Sequence, residues 1–217
     1  MIQENHLFAA NLIFPLFIVD GENQKVEVSS MPGIYRYSVD NLLREVESCM
    51  NIGLKAFDLF PAVEESLKDK YATESYRKGT LYLRAIEAVK QRFPEACVVT
   101  DVAMDPYSSD GHDGIVENGE ILNDESVEIL VKQALCEARA GVDIIGPSDM
   151  MDGRVNQIRE ALDDEGFKNT LIMSYSAKYA SAYYGPFRDA LDSAPKKGDK
   201  KTYQMDYANA NEALREA

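Results

Sequence analysis

Leu171-Ile-Met-Ser-Tyr-Ser-Ala-Lys178 decides how the chain is read: an apolar run too short for a helix breaks off into hydroxyl, aromatic and amine side chains. Working outward, the same construction recurs. Residues 142–146 form an apolar run that ends in Ser148-Asp149, and 97–104 form another that carries Asp101. Residues 54–60 and 12–19 read as two more buried strands, with Pro15 expected at a bulge or strand end because it cannot donate to a ladder. Between the strands, apolar residues fall at helical spacing. Leu42, Leu43, Val46, Cys49 and Met50 follow a Ser38 or Asp40 cap and close at Gly53. Tyr82, Ala85, Ile86, Val89 and Phe93 share a face within 75–93, and Pro94 ends that helix. A third helix runs from Asn123 or Asp124 through Leu130 and Ala138 to Gly141. A shorter fourth is capped by Asp152 and stops at Gly166, and 209–217 is again helical.

Strand–helix alternation repeated in this way predicts parallel βα units, and parallel units place the C-terminal strand ends on one reactive face. The chain contains neither G-x-G-x-x-G after the first strand nor G-x-x-x-x-G-K-[ST], so an open nucleotide-binding sheet lacks its fingerprint. The expected fold is α/β, a (β/α)8 TIM barrel that is incomplete here: a single partial domain over 1–217 with about five of eight strands and exposed sheet edges.

The chain has 217 residues, 45% apolar and 28% charged, as in ordinary globular proteins. A chain of this size buries about 70% of its unfolded surface and needs no disulfide or structural metal to hold a core. The net charge of −14 repels phosphate backbones, which argues against nucleic-acid partners. The longest apolar runs are far short of a bilayer span, so no membrane partner is expected, and Glu4 and His6 interrupt any signal-peptide core. Cys49, Cys97 and Cys136 are odd in number, widely spaced and set in apolar stretches; reduced core thiols and a cytoplasmic compartment follow.

Lys178 is the most suggestive single residue. Small, aromatic and hydroxyl neighbours after a buried strand desolvate an ammonium and favour the neutral amine that attacks a carbonyl. The bland alternative is a lysine whose stem packs on tyrosines while its head reaches water. Arg188 and the run Lys196-Lys-Gly-Asp-Lys-Lys201 could clamp a carboxylate, or the run could be a solvated loop or a mobile lid. Asp101, Asp105, Asp110 and Asp113 with His112 offer hard ligands suited to Mg²⁺, or simply a turn system. In Pro147-Ser-Asp-Met-Met-Asp-Gly-Arg154, Ser148 and Asp149 are free to face a pocket.

Taken together, five blocks are more specific: Asp101-Val followed by Asp105-Pro-Tyr-Ser-Ser-Asp-Gly-His-Asp-Gly114, Pro147-Ser-Asp-Met-Met-Asp-Gly-Arg-Val155, Ser174-Tyr-Ser-Ala-Lys-Tyr-Ala-Ser181, Tyr184-Gly-Pro-Phe-Arg-Asp-Ala190 and Gly198-Asp-Lys-Lys-Thr-Tyr-Gln-Met205. In order and spacing they resemble the porphobilinogen synthase (delta-aminolevulinic acid dehydratase) family over essentially the whole chain, as does Ser30-Met-Pro-Gly-Ile-Tyr-Arg36. The resemblance implies a TIM-barrel lyase of tetrapyrrole (haem or chlorophyll) biosynthesis that condenses two 5-aminolevulinates into porphobilinogen with loss of two waters. It implies that Lys178 forms the Schiff base with the A-side substrate, that Arg188 and Lys200 hold that substrate's carboxylate with Gln204 beside them, and that Asp101 and Ser148 lie near the reacting amine and the other substrate.

Where zinc-type members carry three cysteines, this chain has Ala103, Asp105 and Asp113. It resembles the aspartate-rich, magnesium-using branch, which implies no catalytic Zn²⁺ and a regulatory Mg²⁺ at a subunit boundary, bound through Glu216 and largely by water. The family forms homo-octamers, in the cytoplasm or, in a photosynthetic source, the plastid stroma. The family's second Schiff-base lysine lies in an M-V-K-P block, which these 217 residues do not contain. The chain is therefore expected to be a fragment that makes no porphobilinogen alone. The alternatives are a non-catalytic truncated subunit and a class I aldolase-like enzyme using Lys178 by itself.

Overall fold

Five strands hydrogen-bond in chain order, all parallel: β1 (Ile13–Ile18), β4 (Ala56–Pro61), β5 (Cys97–Val102), β8 (Ile144–Pro147) and β9 (Leu171–Ile172). The computed structural model describes residues 2–217. Beyond β1, the short antiparallel pair β2 (Lys25–Glu27) and β3 (Tyr35–Tyr37) extends the sheet, which is open from β2 to β9. The expected alternation of strand and helix holds, in the arc that starts a (β/α)8 barrel. At the β9 edge Leu171 is 60% exposed.

Helices α1 (Val39–Asn51), α2 (Leu81–Arg92), α3 (Asn123–Ala140) and α4 (Arg154–Asp164) connect these strands. Their apolar faces (Leu42 and Val46, Ile86 and Val89, Leu130 and Ala134, Ile158 and Leu162) join Phe57, Leu59, Val98 and Ile145 of the sheet in one core. Full burial of each Leu, Ile, Val or Phe among them contributes about 1.5–3 kcal/mol. Hydrophobic periodicity located these elements because that packing is their main source of stability.

Several expectations need correction. Helix α2 begins at Leu81, not at residue 75, because Gly79 takes φ +72° and the Thr80 hydroxyl caps the Leu83 N–H. Asp152 is exposed and caps nothing; α4 starts after Gly153 with no side-chain cap. Pro15 lies inside β1, paired with Asp58 of β4, and not at a strand end or bulge. It is tolerated because β3 pairs with β1 only at Phe17 and Ile18, so the other edge of the strand is free at Pro15.

The antiparallel pair β2–β3, a second hairpin and a helix escaped the sequence reading. The hairpin β6 (Ile115–Glu117) and β7 (Glu120–Leu122) turns at Asn118-Gly119, both with positive φ, a dipeptide that signals such a turn. Helix α5 (Tyr184–Leu191) contains Gly185 and Pro186, poor helix formers that mask it. The last helix, α6 (Ala210–Glu216), is capped by Asn209 as its sequence suggests.

One glycine matters for the reactive rim. A side chain at Gly146 of β8 would put its Cβ 2.7 Å from the Thr100 carbonyl of β5. Its absence lets β5 and β8 pair closely, and their ends bring Asp101 and Ser148 to the same side.

Candidate active site

At that rim lies a cavity of about 520 Å³ whose walls include Phe60 from β4, Asp101 from β5, Ser148 after β8, Tyr175 and Lys178 after β9, and Tyr184 of α5. Lys178 is half-buried, less enclosed than its neighbours in sequence suggest. Its Nζ donates to the Ser148 carbonyl at 2.5 Å and sits 5.7 Å and 5.6 Å from the ring centres of Tyr175 and Tyr184. The Lys178 carbonyl accepts from the Met205 N–H at 3.0 Å, and the Ala180 N–H donates back to the Met205 carbonyl at 2.8 Å.

Asp101 is the cavity's carboxyl. Burial, and then repulsion from Asp105, push it up to about 7, against the pull of Ser148 and Lys178. A carboxyl in that range can both hold and release a proton near neutrality. Its backbone is fixed from behind the sheet. The Tyr82 hydroxyl donates to the Leu59 carbonyl at 2.6 Å and accepts from the Asp101 N–H at 2.9 Å, bridging β4 and β5 where their ladder ends. Gln133 of α3 donates to the Asp101 carbonyl at 3.1 Å and to Glu137 at 3.0 Å. Burial pushes Glu137 up to about 8.

Lys200 lies elsewhere. It is buried, with Nζ 3.0 Å from Asp105 and 3.0 Å from Asp113; only the Asp105 contact is aligned as a hydrogen bond. Burial alone would lower the lysine, but the two carboxylates outweigh it and hold the ammonium above its ordinary range. Burial raises Asp105 too, yet Lys200 overcomes this and keeps that carboxyl below the usual range. Asp113 is pushed up to about 6 by burial and by Asp105.

The structure thus gathers Lys178, Asp101 and Ser148 in one cavity and leaves Arg188, Lys200 and Gln204 out of its lining. Arg188 is half-buried on α5, one residue past the wall residue Phe187. Gln204 is buried beside a neighbouring cavity, its N–H donating to the Lys200 carbonyl at 2.8 Å. Asp149, expected to face a pocket, is instead wholly buried and held by Arg154 at 3.2 Å.

Of the two readings of the acidic loop, the hard-ligand cluster does not assemble: among the described residues no group of three or more His, Cys, Asp or Glu side chains is arranged to hold a metal ion. Asp105 and Asp113 take the Lys200 ammonium as their cation, while His112 contacts the Tyr203 hydroxyl at 3.1 Å and the Lys197 carbonyl at 2.9 Å. Ala103 offers no donor and no thiolate stands beside these aspartates, so the residues present do not fit a catalytic zinc. Glu216 is exposed and lines an open cavity of about 520 Å³ with Glu120, Asp152 and Glu212.

The family model described as delta-aminolevulinic acid dehydratase matches residues 1–217. The chain belongs to the delta-aminolevulinic acid dehydratase family. It is 53% identical over 217 residues to the delta-aminolevulinic acid dehydratase of Bradyrhizobium diazoefficiens, covering 100% of this chain and 62% of that protein. To the chloroplastic delta-aminolevulinic acid dehydratase 1 of Arabidopsis thaliana it is 54% identical over 217 residues, covering 99% and 50%. It superposes with TM-score 0.97 and 54% identity on the crystal structure of the Toxoplasma gondii delta-aminolevulinic acid dehydratase (porphobilinogen synthase) in complex with the product porphobilinogen, covering 99% of this chain and 62% of that one. The chain therefore spans between half and about three-fifths of the length of these relatives. Membership of the delta-aminolevulinic acid dehydratase family leaves the aldolase-like alternative without support.

The sequence reading passed over Tyr82, Gln133 and Glu137, which fix Asp101, and the part played by Arg154. Tyr82 was visible only as one more apolar position on α2. A Gln and a Glu among the apolar positions of α3 were the one available signal, because a buried polar pair needs a partner across the interface.

Proposed function

We propose that this chain captures 5-aminolevulinate as a Schiff base on Lys178, one step in the condensation of two 5-aminolevulinates to porphobilinogen with loss of two waters. The neutral amine adds to the ketone carbon and a proton moves to the oxygen, giving a carbinolamine. The nitrogen lone pair then expels that hydroxyl as water, leaving an iminium. Expulsion needs an acid and later proton removal needs a base, and Asp101 titrates in the range that serves both. The observation that carries the proposal is the meeting of Lys178 and Asp101 in one aromatic-walled cavity. The M-V-K-P block of the second Schiff base is not among these residues, so the proposal concerns capture of one substrate.

Arg188 is proposed to hold that substrate's carboxylate by a bidentate fork, together with Lys200 and with Gln204 beside them. For Lys200 this requires it to accept the carboxylate as a third anion or to release Asp105 and Asp113. We propose Mg²⁺ as the regulatory metal, held through Glu216 and water, since the charged residues lining that cavity, Glu120, Asp152, Glu212 and Glu216, are all acidic. Homo-oligomeric assembly, with the octamer as its expected form, and a place in the cytoplasm or plastid stroma complete the proposal. No described helix is long and apolar enough to cross a membrane.

Borohydride reduction of the chain with 5-aminolevulinate tests the proposal. One reduced adduct per chain, mapped by mass spectrometry to Lys178, is expected. An unmodified chain, or an adduct spread over the exposed lysines, would overturn it.

A further inference from the structure

Arg154 makes contacts that a helix-surface arginine does not need. It opens α4, yet its side chain is only 11% exposed. Nε lies 3.2 Å from the buried Asp149 carboxylate, Nη1 donates to the Met151 carbonyl at 3.1 Å, and Nη2 donates to the Tyr175 carbonyl at 3.3 Å and the Ser174 hydroxyl at 3.4 Å. Two of these contacts belong to the loop after β8 and two to the loop after β9. Ser148, whose carbonyl receives Lys178 Nζ, is one residue from Asp149; Lys178 is three residues from Tyr175.

The loop after β8 needs such a tie. Met150 has φ +73°, a conformation costly for a residue with a side chain and kept only where the surroundings impose it. The Asp149 carboxylate accepts the Met151 N–H at 2.7 Å, and Arg154 grips the same turn through the Met151 carbonyl. Burial pushes Asp149 up to about 7 despite the adjacent guanidinium, so a neutral side chain at 154 would leave it without its cation. The sheet ladder joins the two loops only as far as the Tyr175 N–H and Pro147 carbonyl. A planar fork with donors in several directions suits a junction of this kind, and an ammonium does not.

We propose that Arg154 is a positioning residue: its guanidinium welds the loop that presents Ser148 to the loop that presents Lys178, and so sets where the Lys178 amine meets a carbonyl. This rests on Lys178 as the Schiff-base amine, and the test separates the two. Arg154→Met and Arg154→Lys are compared with the wild-type chain in two ways. The first is the rate of borohydride-trapped adduct with 5-aminolevulinate, followed against substrate concentration. The second, independent of substrate, is the NMR signal of Lys178 after reductive ¹³C-methylation, which the flanking rings of Tyr175 and Tyr184 shift away from that of exposed Lys168.

The expected result is a saturated trapping rate at least tenfold lower in Arg154→Met and about threefold lower in Arg154→Lys, with the half-saturating concentration changed less than twofold. The Lys178 signal should move toward the exposed position in both. If Arg154→Met fails to fold, Arg154→Lys decides by the same two measurements. Wild-type trapping rates with an unmoved Lys178 signal would overturn the proposal while leaving the Schiff-base assignment intact. A wild-type chain that traps nothing would overturn the assignment, and the NMR signal would then decide the role of Arg154 alone.

Discussion

Lys178 and Lys200 are the same side chain in two opposite surroundings. Lys200 is buried with two carboxylates at 3.0 Å, and their attraction holds its proton more firmly than water would. Lys178 meets a carbonyl and two tyrosine rings, and no carboxylate of the described residues pairs with it. A fixed ammonium between carboxylates is a structural charge and cannot attack a ketone. An amine in a half-open aromatic cavity beside a carboxyl that titrates near 7 can be reached by substrate and served with protons. Partner chemistry, more than burial, separates the nucleophile candidate from the strut.

The largest expected effect breaks the comparison at its reactive end. Lys178→Met should abolish the 5-aminolevulinate adduct, a loss of more than about a hundredfold read by intact mass, because among the described residues no other amine lines that cavity. Trapping that persisted would move the chemistry elsewhere. At the structural end, Lys200→Met leaves Asp105 and Asp113 facing each other in the core and should cost about 3–5 kcal/mol in urea unfolding. Adding Asp105→Asn and Asp113→Asn should restore part of it; an unchanged midpoint for the single variant would mean the pair is more hydrated than its burial implies.

Tyr82→Phe sharpens the account of Asp101. It removes the hydroxyl bridge to the Leu59 carbonyl and the Asp101 N–H, and should cost about 1–3 kcal/mol, since both groups stay buried. The buried carboxyls predict a pH dependence of definite sign. Glu137, pushed up to about 8, binds a proton in the folded chain between its ordinary value and 8, where the unfolded chain does not. Its contribution is therefore complete at low pH and lost as pH rises toward 8, as is that of Asp58, also about 8. Stability should fall from pH 5 to 8, by at most about 1.4 kcal/mol per pH unit for each such group. Glu137→Gln should flatten the curve, and a profile that rose with pH would contradict the protonated carboxyls. Lys200 adds nothing in that window, because its proton is lost only in stronger alkali. The smallest effect belongs to its neighbour: Lys201 is exposed, 3.6 Å from Asp199, and Lys201→Met should shift stability by less than about 0.5 kcal/mol.

Much of this was legible in the residues. Apolar runs ending in Asp101, Ser148 and the Ser174–Lys178 segment identified the strands and the rim, because strand order and the direction of parallel connections follow from local patterning and chain handedness. Blocks such as Ser174-Tyr-Ser-Ala-Lys178 carried the family resemblance. The Asn118-Gly119 hairpin was legible too and was passed over. What no local pattern held was the choice of partners. Asp105, Asp113 and Lys200 are close in space but up to 95 residues apart in sequence, so an acidic loop that suggested metal ligands became one side of a buried ion cluster. Arg154 looked like an ordinary helix residue until the fold brought Asp149 and Tyr175 to its guanidinium. Sequence by itself determined the elements, their order and which residues could do chemistry. Only the tertiary structure decided which lysine is tied between carboxylates and which faces a cavity, because Coulomb and hydrogen-bond energies depend on distances that chain position does not record.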